Sequence, residues 1–191
     1  MERVVTIVSG LPRSGTSMMM RMLEAGGIEI LFDNRRKADE DNPKGYYEFE
    51  KVKTIKKDSS WLASAESKAF KMVSMLLYDL PSNWEYRIVF MKRNIDEILA
   101  SQKRMLERSG RNNSNVSDKE MSILFNKHLA EVEKWLGKQN NINTLYISYN
   151  DTILKPLEAI QKLNRFLGNE LYIDKMAKIV NKSLYRQRSN V

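Results

Sequence analysis

Short continuous apolar runs alternate along this chain with segments whose apolar residues recur every three or four positions. Val4 to Val8 and Arg87 to Met91 are runs of the first kind, and they read as strands of a parallel sheet covered on both faces. Each is followed by a helical pattern. Met18, Met19, Met22, Leu23 and Ala25 favour a helix from Thr16 that stops at Gly26-Gly27, and Ile95, Ile98, Leu99, Met105 and Leu106 make the next. Ser117 and Glu120 have capping-box spacing for a helix to Leu136. Its expected buried stripe is Met121, Leu124, Phe125, Leu129, Val132, Trp135 and Leu136. Thr144 to Ile147 reads as a third strand, Pro156 as the first turn of a helix stopped by Gly168, and 172 to 182 as a last helix. Shorter signals suggest a helix at Tyr47 to Lys57 and a brief strand at Ala69 to Val73.

Two polar stretches break the pattern. Residues 33 to 45, "DNRRKADEDNPKG", read as a loop long enough to be a functional lid or rim, and "SGRNNSNVS" at 109 to 117 as a break expected to be mobile. With no internal repeat and no linker, residues 1 to 191 read as one α/β domain: a three-layer P-loop fold with a central, mostly parallel sheet flanked by helices.

Composition narrows the class. An apolar content of 42% with 29% charged residues is an ordinary globular balance. The absence of cysteine rules out disulfides and thiolate metal sites and suits a cytoplasmic location. The apolar run near the N-terminus is far short of the roughly 20 residues that span a bilayer, so no membrane span is expected. A net charge of +8 points to anionic partners, but the basic residues are spread among 24 acidic ones, which argues against nucleic acid and for a basic surface or a polyanionic small ligand.

The candidate chemistry begins at "IVSGLPRSGTSMMM", where a strand feeds a glycine turn that opens a helix. Gly10, four residues and Gly15 fit the spacing of a phosphate-binding loop, yet Thr16 stands where that loop's lysine belongs and Arg13 lies inside the turn. Backbone N–H groups of residues 13 to 17 would face an anion at the carboxyl end of the sheet, with Arg13 able to bond two oxygens and Thr16 and Ser17 supplying hydroxyls. A nucleoside triphosphatase would need a carboxylate for Mg²⁺ at a neighbouring strand end, where this chain has Lys92-Arg93. Asp151, after the third strand, is the substitute, and reads equally as a helix N-cap.

The combination "GLPRSGTS", "IVFMKRNIDEILAS" and "LYISYNDTILKPLEAIQKLNRFLG" resembles the sulfotransferase family, which uses 3′-phosphoadenosine-5′-phosphosulfate (PAPS) and releases 3′-phosphoadenosine-5′-phosphate (PAP). The resemblance implies that Pro12, Arg13, Ser14, Gly15, Thr16 and Ser17 hold the 5′-phosphosulfate, with Arg13 stabilising the bridging oxygen. It also implies that Arg93 and, eight residues on, Ser101 reach the 3′-phosphate. No metal is implied. Family members that act on small phenols and alcohols have a Lys-Thr-His run with a histidine base; the comparable stretch here is "FKMVS", where Lys71 keeps the lysine's place and no histidine follows. The single histidine, His128, falls on the apolar face of its helix and reads as a core residue rather than a base. Other branches use a glutamate after the first helix, for which Glu48 is the candidate base, ahead of Asp39 and Glu40. Burial beside Tyr46 and Tyr47 would raise its pKa toward usefulness, although it reads equally as a first-turn acid of a helix. Arg186 and Arg188 either fold onto the nucleotide phosphates or form an exposed basic tail.

The expected activity is sulfuryl transfer to a hydroxyl or amine of a small-molecule, carbohydrate or peptide acceptor, with the acceptor and the oligomeric state open. A P-loop kinase or nucleoside triphosphatase, and a phosphoadenosine-nucleotide binder without catalysis, are the alternatives.

Overall fold

The computed structural model describes residues 4–33, 35–39, 42, 45–108, 110 and 116–180. Four strands, β1 (Val4–Gly10), β2 (Ala69–Lys71), β3 (Glu85–Lys92) and β4 (Ile142–Ser148), form one sheet in the order β2-β1-β3-β4, with every neighbouring pair parallel. This is the expected α/β class. The chain leaves β1 toward β2 on one side and returns to β3 on the other, so the order reverses at β1, where open parallel sheets bind ligands beyond the strands' carboxyl ends.

Alternating side chains of the strands feed two cores. Val5 and Ile7 of β1, Phe70 of β2, and Ile88 and Phe90 of β3 face Trp61, Leu62, Leu77, Val132 and Leu136. Val8, Val89, Met91 and Ile147 face the other way, onto Met19, Met22, Leu23, Ile160, Leu163 and Met176. The helices are α1 (Thr16–Ala25), α2 (Ile95–Arg108), α3 (Asp118–Leu136), α4 (Tyr149–Leu154), α5 (Pro156–Leu167) and α6 (Ile173–Ile179). Residues 181 and 182, the expected end of α6, lie outside the described residues.

Ser117 caps α3 as the spacing predicts, accepting from the Glu120 N–H while the Glu120 carboxylate accepts from the Ser117 N–H. Five readings need correction. Tyr47 adopts a left-handed φ of 53°, so no helix starts there; a 3₁₀ turn covers only Glu50–Thr54. The brief strand ends at Lys71 because the chain turns into a 3₁₀ segment at Ser74–Asp79. Of the expected α3 stripe, Val132 and Leu136 are buried but Leu124 is 53% exposed, because the N-terminal half of α3 projects beyond the core. Asp151 is a first-turn residue of α4, whose cap is Ser148: its hydroxyl accepts from the Asp151 N–H. Finally, His128 is only half-buried and pairs with the Ser74 hydroxyl at 2.8 Å. The break expected at 109 to 117 lies outside the described residues apart from 110, 116 and 117.

Candidate active site

The carboxyl end of β1 meets the start of α1 in a turn that tolerates little bulk. A Cβ on Gly10, whose φ is 144°, would stand 2.6 Å from the Met91 carbonyl oxygen of β3. One on Gly15, whose φ is 98°, would stand 2.3 Å from the Tyr149 ring. The loop can therefore lie against β3 and α4 only with glycine at both positions. Gly15 is the N-cap of α1, and the helix's first turn, with N–H groups that lack partners within the helix, lines a cleft of about 450 Å³. Pro12, Arg13, Gly15, Thr16 and Ser17 all face this cleft. Ser14 lies beneath it: it is 1% exposed, and its N–H donates to the Leu11 carbonyl at 3.1 Å. The Ser17 hydroxyl accepts from the Asn42 amide at 2.9 Å and lies 3.4 Å from the Tyr46 carbonyl.

Arg13 takes a left-handed conformation (φ 73°), which costs a non-glycine residue about 1–3 kcal/mol and persists only when its surroundings hold it. Two long-range contacts do so. Its Nε donates to the Ser101 hydroxyl of α2 at 2.9 Å, and its carbonyl accepts from Arg93 at 3.0 Å. Arg13, Arg93 and Ser101, distant in sequence, thus converge beside the loop.

Arg93 is itself fixed from behind. Its Nε donates to the Glu97 carboxylate at 2.9 Å, and the two side chains are 8% and 1% exposed. Asn150 of α4 donates to both oxygens of the same carboxylate, and the guanidinium lies 4.5 Å from the centre of the Tyr149 ring. A desolvated, multiply bonded ion pair holds its arginine in one orientation. Glu97 and Tyr149 are site residues that sequence reasoning missed. Glu97 had a signal: it lies four residues after Arg93, at ion-pair spacing across the start of α2. Tyr149 had none, because only the fold brings β4 to the loop.

On the β2 side of the cleft Lys71 reaches inward, its ammonium donating to the Tyr46 carbonyl and lying 3.7 Å from the Glu48 carboxylate. Burial pushes its pKa down to about 8; Arg36 and Arg13 act in the same direction, and Glu48 opposes them. Glu48 also accepts from Arg36 at 3.1 Å. Its near neighbours are therefore two cations, not the apolar burial expected beside Tyr46 and Tyr47. The Tyr46 ring instead carries Arg36 at 3.5 Å, and its hydroxyl donates to Asp39; burial and that carboxylate push the phenol up to about 12. Tyr47 turns away to donate to Glu24.

Among the described residues the cleft is lined by eight Arg and Lys side chains and one carboxylate, Glu48. One of the eight is Arg21 of α1, four residues beyond Ser17 on the same helical face and not anticipated from the sequence. Asp151 lines a separate hollow beside β4 and α5, away from the loop. No group of three His, Asp or Glu side chains suited to a metal ion occurs among the described residues. Nor is any described helix long and apolar enough to cross a membrane. Glu40, Arg186 and Arg188 lie outside the described residues.

Residues 5–190 match the family described as "Sulfotransferase domain". The fold resembles that of the "Sulfotransferase Domain from the Curacin Biosynthetic Pathway", with a TM-score of 0.56 and 15% identity over 94% of this chain and 78% of that one. It also resembles the "Sulfotransferase Domain from the Synechococcus PCC 7002 Olefin Synthase", with a TM-score of 0.56 and 10% identity over 99% and 81%. No curated protein matches the chain. The family match spans both cores and every element that builds the cleft, and the chain belongs to the sulfotransferase domain family.

Proposed function

We propose that the protein transfers a sulfuryl group from PAPS to a hydroxyl or amine acceptor. The observation that carries this reading is the convergence of the loop's Arg13 with Arg93 and Ser101 in a cleft where, among the described residues, Glu48 is the one carboxylate. Such a lining suits a ligand whose two separated phosphates are neutralised by protein cations. The glycine loop under Tyr149 supplies the close backbone approach that a phosphate needs, so the residues present fit the nucleotide.

When bound, the donor supplies an activated sulfuryl group: a new S–O or S–N bond forms to the acceptor, the S–O bond to the 5′-phosphate breaks with its electron pair left on that phosphate, and the acceptor's proton passes to a base. The chain's own residues bind, orient and neutralise. Arg13, Thr16 and the first N–H groups of α1 hold the 5′ end, where leaving-group charge accumulates. Arg93 and Ser101 hold the 3′-phosphate, with Glu97 and Asn150 keeping Arg93 in place. Lys71 offers a positive charge to the transferring group, and Glu48, within reach of Lys71 in the same cleft, takes the acceptor's proton.

The test is turnover of PAPS to PAP in the presence of hydroxyl and amine acceptors, with the sulfated product identified by mass. Glu48→Gln is expected to lower kcat by roughly 10²–10⁴, the usual contribution of a general base. Unchanged turnover would remove Glu48 as the base. Nucleotide binding with no sulfated product from any acceptor class would favour a non-catalytic binder instead.

A further inference from the structure

Beyond the donor half, the cleft is walled unequally. Half-buried Phe49 and Leu76 and the 40% exposed Val73 give it apolar surfaces. In the same cleft α2 presents Ser101 and, three, four and seven residues on, Arg104, Met105 and Arg108, so on one helical face. Ser101 already bonds Arg13. At a rise of 1.5 Å per residue, the Cα of Arg108 stands about 10 Å farther along the helix than that of Ser101, so the arginines extend this face away from the loop. Neither guanidinium is among the groups assigned above to the two phosphates, and both line the same cleft as the apolar walls.

We infer that the acceptor is an amphiphile: an apolar body bearing the hydroxyl to be sulfated and, some distance from it, an anionic group recognised by Arg108 with Arg104. This rests on the donor reading of the site. An apolar body alone would gain nothing from cations at the rim. A small, wholly polar acceptor would leave Phe49, Val73 and Leu76 facing water. A molecule with both features uses the whole lining, the apolar walls through burial and the α2 arginines through charge-assisted hydrogen bonds.

The test is calorimetric titration of the PAP-saturated protein with ω-hydroxydodecanoate and with dodecanediol, which match in length and differ in one terminus. The acid is expected to bind at least about tenfold more tightly, as a charge-assisted bond implies, and the preference should shrink as salt is raised. Arg108→Gln and Arg104→Gln, at exposed positions where folding is not at stake, should each cut that preference; Arg108→Gln should also leave PAP affinity within about twofold. Equal affinity for acid and diol, or a preference that survives both substitutions, would overturn the inference. So would loss of PAP affinity in Arg108→Gln, which would assign that cation to the donor. Failure of the unsubstituted protein to bind PAP at all would sink the donor reading itself, a result separable from the others.

Discussion

Arg93 bonds the Arg13 carbonyl, stands over the Tyr149 ring and pairs with Glu97, so one side chain joins the loop to α2 and α4. Removing Glu97 would leave its charge buried and uncompensated. Glu97→Ala is expected to lower stability by about 3–5 kcal/mol in denaturant unfolding and to weaken PAP as Arg93 loses its orientation. A loss below about 1 kcal/mol would mean that the pair is solvated. Arg93→Ala disturbs the loop too, so its informative readout is a ratio: affinity for PAP should fall at least about tenfold more than affinity for adenosine 5′-phosphosulfate, which lacks the 3′-phosphate. Equal losses would remove Arg93 from the 3′ site.

Lys71 carries a pH prediction at the same scale. With its pKa lowered to about 8, the ammonium that the proposed mechanism puts beside the sulfuryl group is present below that pH and lost above it. Because kcat/KM reports the free enzyme, it should fall as pH rises through about 8, and Lys71→Arg, charged throughout, should abolish that limb. A limb that persists in Lys71→Arg would belong to another group. For folding the sign is opposite: the unfolded chain holds the proton up to a higher pH than the folded one, so this group's contribution to stability increases from pH 8 upward.

At the scale of elements, the β1–loop–α1 unit is the part most constrained by backbone geometry. Gly15→Ala combines a left-handed φ, costing about 1–2 kcal/mol, with a Cβ inside the Tyr149 ring contact. Reduced thermal stability together with lost PAP affinity is expected; a variant that binds PAP normally would mean that the loop can adopt another shape. These same elements were the most legible in the sequence. Val5, Ile7, Val8 and Ile88 to Met91 are buried against both faces of the sheet, so the two runs are nearly continuous in apolar residues, and the Ser117–Glu120 cap is local chemistry. The 3₁₀ segments at Glu50–Thr54, Ser60–Ala65 and Ser74–Asp79 had no comparable signal, because runs of five or six residues are too short to display a period. The exposure of Leu124 was equally hidden, since periodicity marks a face without saying how far along the helix its neighbours extend.

For the whole molecule, the net charge of +8 gains a location. It is spread along the sequence, but the fold gathers eight cations around one cleft, while Asp151, the one carboxylate offered as a metal partner, points into another hollow. The loop's Arg13 and the strand-end Arg93 could be read as parts of a site from the sequence. Their bond through the Arg13 carbonyl could not, because it depends on β1 and β3 being neighbours in register, Gly10 beside Met91. On the proposed reading this cleft selects a 3′-phosphorylated adenosine nucleotide without a metal ion. Its most direct test is a thermal-shift comparison of PAP with ATP plus Mg²⁺ at equal concentrations. The melting temperature should rise with PAP, by the linkage between binding and folding, and change little with ATP and Mg²⁺. Stabilisation by ATP and Mg²⁺ with none by PAP would overturn that selectivity and make the loop that of a nucleoside triphosphate enzyme.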